Sequence, residues 1–349
     1  MMILAIDLGK SKSVFCWYDP AGPSHRFVTV DSTPAAFHEV LVAQRPDRVV
    51  IEVCDMAGWV QDLCQMLEIP VQVVNANGEG WRWKNVRNKT DREDALKLAR
   101  LSAAGDVELV HLPDRTTRHW RSLILYRQKL VDRRTAIRNS IHALLVREGR
   151  AISGKEAFGL ESLAALRELA CPVEACSKDQ LWSGHLHMEL AAYDHIQQQI
   201  ATLDEALNKI GDADPRVVRL KTIPGVGPRS SELMVAIIDD PHRFANARQI
   251  SAYAGLTPRR YQSGQMDRSG RISKAGCRKL RKLLVQVSWG MLRNNPHGRE
   301  VFLGISKGQK TRRKQAAVAL ARRVLVWSWA MLRDGTDWQT PAKPTPGMI

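Results

Sequence analysis

The first 110 residues contain short β-branched runs and one stretch in which apolar positions recur at helical spacing. The segment Ile3–Tyr18 and the run Phe27–Val30 predict a hairpin, and residues 49–52 and 71–75 predict two further short strands. Between those two runs, Gly58–Leu67 has the apolar spacing of a helix. The alternation of strands and helices therefore predicts an α/β domain over residues 1–110.

The next hundred residues show helical periodicity without strand signals. Apolar residues recur every three or four positions from about Asp114 to Gly149, where Arg and Lys fill the remaining faces. The same spacing is found again from about Leu186 to Ile210. The pattern predicts a helical, coiled-coil-like linker over residues 111–215. Two such helices can pair within one chain or across a dimer, and the sequence favours neither arrangement.

A third region, residues 216–333, is predicted to be mainly α-helical. It begins with a helix end, a Gly-rich turn and a new helix start at Leu220–Ser231, which is the pattern of a helix-hairpin-helix. In that motif the backbone N–H groups at a helix N-terminus hold a DNA phosphate, and a plain helix–helix turn is the alternative. Gly225, Gly227 and Arg229 are the candidate phosphate contacts.

Two amphipathic helices complete this third region, one at Lys279–Leu292 and one at Arg312–Leu332. The tail over residues 334–349 is rich in Pro and Gly near its end and is predicted to be disordered.

The positive charge of the chain is concentrated in one block. The formal net charge is +16, and residues 258–323 hold 18 Lys and Arg against only Asp267 and Glu300. Such a block inside a folded domain indicates a polyanionic partner, most simply nucleic acid, although a solvated face or a membrane-surface helix would also be basic. Gly, Ser and Pro interleaved over residues 258–276 favour a loop that contacts phosphates. Its candidate contacts are Arg259, Arg260, Arg268, Arg271 and Lys274.

Other sequence features limit the class of protein. No secretory signal and no apolar stretch of membrane-spanning length is found, so no membrane association is expected. The six cysteines lack the spacing of metal ligands, which favours reduced cysteines in a cytoplasmic protein. These are Cys16, Cys54, Cys64, Cys171, Cys176 and Cys277.

Four acidic residues are the candidate reactive centre. Asp7 and Glu52 each end a β-branched run, while Asp91 and Asp94 lie three apart at the start of a predicted helix and so share one of its faces. Carboxylates gathered that closely repel one another unless a cation lies among them, and hard oxygen ligands suit Mg²⁺ or Mn²⁺. The set therefore predicts a two-metal phosphoryl-transfer site.

Each of these four residues also has an ordinary structural explanation when it is taken alone. Asp7 can be a turn residue and Glu52 a solvated strand end. Asp91 can cap a helix, and Asp94 can favour its first turn through the helix dipole. Their joint order and context favour the metal-site interpretation.

The sequence resembles the DEDD transposases of insertion-sequence family 110 over nearly its whole length. The N-terminal segments that carry the resemblance are Ile-Asp-Leu-Gly-Lys at 6–10, Ile-Glu at 51–52 and Lys-Thr-Asp-Arg-Glu-Asp-Ala-Leu-Lys-Leu-Ala at 89–99. The C-terminal ones are Ile-Pro-Gly-Val-Gly-Pro at 223–228, the segment 254–264 and Arg-Ile-Ser-Lys-Ala-Gly at 271–276. The resemblance implies an RNase H-like, RuvC-like catalytic domain at 1–110, a helical linker, and a transposase domain at 216–333.

The resemblance also implies roles for individual residues. Asp7, Glu52, Asp91 and Asp94 match the DEDD metal-binding set, and Ser263 in Tyr-Gln-Ser-Gly matches the nucleophilic serine. Many relatives have Ser-Ser-Gly at this place, so Ser269 and Ser273 remain alternative nucleophiles.

Partners follow from the same resemblance. They are donor and target DNA, a structured non-coding bridge RNA, and further copies of the chain in a dimer or tetramer, where the serine domain of one protomer completes the carboxylate site of another. The Arg-rich helix at 115–150 and the RuvC-like domain are the expected RNA surface, and the block at 258–323 the expected DNA surface. The expected location is the cytoplasm, at the nucleoid during the reaction.

Two other functions are compatible with parts of the pattern. A RuvC-like endonuclease would hydrolyse junction DNA, such as a Holliday junction, with the carboxylates alone. A non-catalytic nucleic-acid-binding protein would keep the basic block with a decayed site, against which the intact acidic set argues. A covalent protein–DNA adduct separates recombinase from nuclease, and metal-dependent cleavage separates both from the binding protein.

Overall fold

The computed structural model forms two compact units, Met1–Arg118 and His119–Ile349, here called unit 1 and unit 2. The predicted helical linker thus belongs mostly to the same compact unit as the predicted transposase domain. Among the described residues, no helix is both long and apolar enough to span a membrane. The structure describes residues 1–22, 24–75, 90–150, 158–263 and 266–340.

Unit 1 is built on a five-stranded mixed sheet with the strand order β3-β2-β1-β4-β5. β1 pairs antiparallel with β2 and parallel with β4, while β2–β3 is antiparallel and β4–β5 parallel. The strands are β1 (Ile3–Asp7), β2 (Lys12–Tyr18), β3 (His25–Asp31), β4 (Arg48–Glu52) and β5 (Val71–Val74). Before residue 115, the described part of this unit also contains the helices α1 (Pro34–Gln44), α2 (Ala57–Met66) and α3 (Asp91–Ala104).

Side chains alternate between two hydrophobic cores on either face of this sheet, as the pleat of a strand requires. Leu4, Ile6 and Ile51 pack on the face covered by α1 and α2. Their neighbours Ala5 and Val50 pack on the opposite face, against α3. The α/β prediction for this region is therefore confirmed, with two strands inside the segment Ile3–Tyr18.

The two long helices of unit 2 pair with each other within one chain. They are α4 (Arg115–Arg147) and α6 (Leu181–Ala213), with the short α5 (Leu160–Leu169) packed beside α6. Arg127 forms a two-pronged ion pair with Asp204, and further along Ser140 donates a hydrogen bond to Glu189 at 2.6 Å. This order shows an antiparallel pair, so the intramolecular alternative is the one observed.

The remaining helices of unit 2 enclose a single large core. α10 and α12 match the two predicted amphipathic helices, whereas α11 has no counterpart in the sequence prediction. Leu280, Leu284 and Met291 of α10 and Leu320 and Val324 of α12 are fully buried in this core. The helices are α7 (Pro215–Lys221), α8 (Pro228–Ile238), α9 (Ala247–Tyr253), α10 (Arg278–Asn294), α11 (Pro296–Ser306) and α12 (Arg313–Asp334).

Residues 258–263 and 266–272 form the two antiparallel strands of a hairpin, where the sequence predicted a loop. The strands are β6 (Pro258–Ser263) and β7 (Met266–Ile272), and every residue of β6 is exposed. Because neither strand has an alternating apolar face, the pattern that identifies strands is missing here.

The start of the tail also differs from its prediction. Trp338 packs edge-on against Trp327, with 5.2 Å between ring centroids, and its backbone N–H donates to the Thr222 hydroxyl. Packing of these two indoles holds residues 335–340 on α7 and α12. The rest of the predicted disordered tail, residues 341–349, lies outside the described residues.

Candidate functional site

Asp7 and Glu52 lie side by side at one edge of the unit 1 sheet. Asp7 ends β1 and Glu52 ends β4, and these parallel strands are paired in register at Ile6 and Ile51. Strand alternation puts Asp7 on the same face as Ala5, and Glu52 on the same face as Val50. Both carboxylates are half-buried on the α3 side of the sheet, at the carboxyl ends of the two strands.

Asp91 and Asp94 approach this edge from α3. Thr90 is the N-cap of the helix, since its hydroxyl accepts the Glu93 N–H, so Asp91 is the first helical residue and not the cap. Asp94 is half-buried one turn before Leu98, on the stripe that packs against the sheet.

The direction of α3 brings its acidic end to the edge where Asp7 and Glu52 lie. Near the other end of the helix, Ser102 donates to Gln72 at 2.7 Å and its carbonyl accepts from Arg48. Arg48 and Gln72 stand at the beginnings of β4 and β5. The first turn of α3 is therefore at the carboxyl ends of these strands, so Asp91 and Asp94 begin a helix at the same corner of the sheet where β1 and β4 end with Asp7 and Glu52.

A tight polar turn fixes the chain directly after Asp7. A Cβ on Gly9 would lie 2.2 Å from the Lys12 carbonyl oxygen, so only glycine fits this close approach. The Ser32 hydroxyl donates to the Gly9 carbonyl at 2.6 Å and shares a hydrogen bond with Ser13. The glycine of the Ile-Asp-Leu-Gly-Lys segment is therefore needed for the turn that holds the end of β1 in place.

The corner has the donor chemistry that a hard divalent cation needs. It offers four carboxylates from three elements, and carboxylate oxygens are the ligands that such an ion prefers. Among the described residues, however, no three or more His, Cys, Asp or Glu side chains are grouped closely enough to hold a metal ion. The four residues therefore fit such an ion in their type of ligand and in the positions of the elements that carry them.

Ser263 is the last residue of β6, at the tip of the exposed hairpin in unit 2. It pairs with Met266, the first residue of β7, and its side chain is exposed. Of the alternative nucleophiles, Ser269 pairs through its backbone with Arg260 in the middle of the hairpin. Ser273 is half-buried, with its backbone N–H donating to the Thr257 carbonyl.

The root of the hairpin is locked to the end of α9 by backbone contacts. Lys274 and Cys277 donate their N–H groups to the carbonyls of Gly255 and Tyr253. At Gly276, where φ is +97°, a Cβ would lie 2.2 Å from the Tyr253 carbonyl oxygen. Two segments that carry the family resemblance, 254–264 and 271–276, thus meet in one structural joint, through contacts of their described residues Gly255, Lys274 and Gly276.

The candidate phosphate contacts on the hairpin differ in how they are held. Arg260 forms a two-pronged ion pair with Asp267 across the strands, and the guanidinium holds the pKa of that carboxyl below its usual range. Arg259 donates to the Ser273 carbonyl at 3.3 Å. Arg268, Arg271 and Lys274 are exposed.

The predicted helix-hairpin-helix is a helix–turn–helix segment whose turn packs against the protein. A Cβ added to Gly225 would lie 3.1 Å from the Cα of Met291 in α10. The Pro224 carbonyl accepts a hydrogen bond from the Asn295 side chain. Gly227 is the N-cap of α8 and is exposed. Of the two glycines, Gly227 is therefore the more accessible to a phosphate.

Arg229 lies in an internal charge network. It pairs with Glu232 at 2.9 Å and with Asp204 of α6 at 3.5 Å, and it donates to Asn208. The Glu232 side chain is 1% exposed, and its burial raises its pKa to about 7 despite the nearby Arg229. Sequence reasoning missed Glu232, because an acid three residues after an arginine looks like an ordinary surface pair.

Comparison with known proteins gives matches over both units. Residues 4–148 match the DEDD transposase family of IS110, and residues 217–303 match the family described as Transposase IS116/IS110/IS902. The first match contains Asp7, Glu52, Asp91 and Asp94, and the second contains Ser263 and the hairpin.

Curated relatives match over most of the chain. The transposase for insertion sequence element IS1111A of Coxiella burnetii is 29% identical, over 95% of this chain and 89% of the relative. A probable family 20 transposase of Pseudomonas aeruginosa is 28% identical, over 84% and 86%. The pilin gene-inverting protein of Moraxella lacunata is 26% identical, over 71% and 67%. The chain belongs to the IS110 family of DEDD transposases, enzymes that cut and rejoin DNA.

Proposed function

We propose that this transposase exchanges DNA strands with two sets of groups, the DEDD carboxylates of an RNase H-like, RuvC-like unit 1 and Ser263 of unit 2. The observation that carries the proposal is the placement of Asp7 and Glu52 at the ends of two paired strands, at the edge of the sheet where α3 begins with Asp91 and Asp94. The strand order 3-2-1-4-5, with one antiparallel half and one parallel half, supports the RuvC-like assignment.

Asp7, Glu52, Asp91 and Asp94 would hold Mg²⁺ or Mn²⁺, because these ions prefer carboxylate oxygens. Such ions supply a Lewis acid that activates an attacking oxygen and stabilises the leaving oxygen of a phosphodiester. The chain itself contributes the placement of the ligands. The Gly9 turn fixes the end of β1, and the Thr90 cap fixes the start of α3.

Ser263 is the proposed nucleophile. Its oxygen attacks a DNA phosphorus, a Ser–O–P bond forms, the phosphorus–oxygen bond to one DNA end breaks, and that end leaves as a hydroxyl. The serine proton passes to a base, and the leaving oxygen takes up a proton. Because the phosphodiester energy is kept in the serine ester, a second DNA hydroxyl can attack it and reseal the strand without ATP.

The exposed cations of the hairpin would support this step by balancing the negative charge of the DNA phosphates. Arg268, Arg271 and Lys274 can contact phosphates on either side of the reacting one. Arg260 must leave Asp267 to do the same. Arg229 has its guanidinium in the network with Asp204 and Glu232, so we assign it to holding α8 against α6.

A guide RNA and a multimer complete the proposal. Arg127, Arg134 and Arg138 of α4 form hydrogen bonds with residues of α6, so an RNA surface on this helix would rest on exposed residues such as Arg133 and Arg147. In a dimer or tetramer, Ser263 of one copy would act with the carboxylates of another. Full recombination by RNA-free protein would remove the guide-RNA part.

The reaction can be tested with purified protein, its RNA, and two DNA substrates that carry donor and target sites. We expect recombinant strands only in Mg²⁺ or Mn²⁺, and none with Asp7→Asn or Ser263→Ala, although both variants stay folded. If Ser263→Ala still cleaves but never rejoins, a junction endonuclease replaces the proposal. If neither variant loses activity, both halves of the proposed site are wrong.

A further inference from the structure

A wide groove lies in unit 2 beside the root of the β6–β7 hairpin. Its volume is about 1530 Å³, and it runs between the hairpin root and the exposed side of α12. The hairpin contributes Pro258, Arg271 and Lys274, and α11 and α12 contribute His297 and Trp327 among others. A groove of this size fits a segment of polymer better than a small cofactor.

The groove is strongly basic. Arg271 and Lys274 face it from the hairpin side, and Lys314, Arg322 and Arg323 from α12. Among the lining residues that the structure describes, none is acidic. None of these five cations takes part in an ion pair within the described part of the chain. Five unneutralised cations along one groove attract a chain of phosphates.

The groove also carries aromatic rings on its wall. His297 and Trp327 both line it, with 5.4 Å between their ring centroids. Trp338 also packs edge-on against Trp327, with 5.2 Å between the ring centroids. An indole fixed in orientation inside a basic groove is the arrangement that proteins use to stack unpaired nucleic-acid bases.

We propose that this groove binds an unpaired DNA strand, with one base stacked on Trp327 and the flanking phosphates on the five cations. The inference rests on the proposed function, in which unit 2 attacks DNA, and it adds the place where one opened strand is held. A duplex hides the faces of its bases within the stack, so it would use the cations but not the indole.

The hairpin connects the groove to the proposed nucleophile. Pro258 lines the groove and Ser263 ends the same strand, five residues away, which corresponds to about 17 Å at about 3.3 Å per residue. A strand lying in the groove would therefore come within a few nucleotides of Ser263. This continuity favours DNA over RNA as the occupant, since Ser263 is the group proposed to attack DNA.

Binding of fluorescently labelled oligonucleotides to the full-length protein tests the proposal, and it requires no catalysis. We expect Trp327→Leu to weaken binding of single-stranded DNA by roughly 10- to 100-fold and binding of the matching duplex by less than about twofold. Trp327→Phe, which keeps a stacking ring, should retain most of the affinity. The matched control is Trp289→Leu, because Trp289 is a partly exposed tryptophan of unit 2 outside the groove.

The cations are tested through salt. For the double variant Lys314→Gln and Arg323→Gln, the slope of log affinity against log salt for single strands should fall by about 1.4, at about 0.7 for each phosphate that is no longer neutralised. Removal of the exposed Lys178 by Lys178→Gln, away from the groove, should leave the slope unchanged. Equally weakened binding for Trp327→Leu and Trp289→Leu, or for duplex and single strand, would overturn the proposal.

Crosslinking tests where the strand binds and whether the bound strand is DNA or RNA. Single-stranded DNA with one 5-iodouracil should crosslink to a peptide that contains Trp327, and the Ser263→Ala variant should crosslink equally well. That result would hold even if recombination did not depend on Ser263, so failure of the two proposals can be told apart. Crosslinks only to other peptides would overturn it, and a Trp327-dependent preference for RNA of the same sequence would assign the groove to RNA instead.

Discussion

The two regions that share the proposed chemistry are held in opposite ways. At the sheet corner, Asp7 and Glu52 directly follow Ile6 and Ile51, whose side chains have 0% exposure. In the β6–β7 hairpin, every residue of β6 is exposed, and the joint that holds it is its root on α9. The corner is fixed by the core of unit 1, whereas the exposed strand of the hairpin has no core beneath it.

This difference suggests a division of labour. The carboxylates need relative positions accurate to a fraction of an ångström, so rigid strands and a capped helix suit them. The serine must reach a phosphate on a large ligand, and a narrow exposed hairpin can enter where a packed domain cannot. Nucleic acid would supply the missing support for the hairpin.

The largest expected effect comes from a substitution at the corner of the unit 1 sheet, the more rigid of the two regions. Asp94→Asn should lower strand exchange by roughly a thousandfold or more, because loss of a proposed metal ligand would cost several kcal/mol of transition-state stabilisation. The free energy of unfolding in urea should change by less than about 0.5 kcal/mol, since Asp94 lies at the rim of the core. Asp106→Asn, an exposed acid just after α3, is the control and should be active. Normal exchange by Asp94→Asn would remove this residue from the site.

The next effect breaks the joint that holds the hairpin. Gly276→Ala should cost about 2–4 kcal/mol of unfolding free energy, because its φ of +97° and the Tyr253 carbonyl both exclude a side chain. Gly308→Ala is a matched control, since Gly308 also has a positive φ, +72°, but nothing within 4 Å of an added Cβ. It should cost only about 1 kcal/mol. Equal costs in denaturant titrations would mean that the joint does not hold the hairpin root.

How far the sequence alone can predict these regions depends on whether a buried core leaves a pattern in it. The positions of four acidic residues are predictable because each adjoins an apolar run with a clear period: Asp7 and Glu52 end strands, and Asp91 and Asp94 begin a helix. The hairpin resembles a loop in sequence because Arg259, Arg260 and their neighbours on β6 are exposed on both faces. Its strands depend on cross-strand pairing and on a distant joint at Gly255, which no local pattern contains.

Two further differences show where a signal is present and where it is not. Helix α11 is absent from the sequence prediction although Asn295 caps it and Pro296 is its first residue, and both are ordinary start signals. Arg229 is predicted to contact phosphate, and only the three-dimensional packing of α6 against α8 shows Asp204 and Glu232 around it.

A third prediction tests whether Glu232 is buried inside unit 2. Burial raises the pKa of Glu232 from 4.5 to about 7, so between these values the folded state binds more protons than the unfolded state. Stability should therefore fall as pH rises from about 4.5 to 7, by on the order of 3 kcal/mol from this group. Glu232→Gln should remove that fall in urea titrations at several pH values. Parallel pH profiles for the two proteins would contradict the assignment.

The smallest expected effect concerns the exposed side of the comparison. Asp267→Asn should change the unfolding free energy by less than about 0.5 kcal/mol, because its ion pair with Arg260 is solvent-exposed. It should tighten DNA binding by roughly two- to fivefold at low salt, since it frees a cation and removes one of two acids in the basic block. Glu161→Gln, an exposed acid on α5, should leave affinity unchanged. Weaker binding by Asp267→Asn would mean that the pair orders the hairpin for DNA.

The central claim is that the exposed tip of the hairpin, and not water at the carboxylates, attacks the DNA. A reaction stopped with denaturant and digested with protease should yield a DNA-linked peptide that contains Ser263, in the wild-type protein and not in Ser263→Ala. An adduct on Ser269 or Ser273 would keep the mechanism and move the residue. Cleaved DNA with no covalently attached peptide would contradict the account and leave hydrolysis at the sheet corner as the reaction.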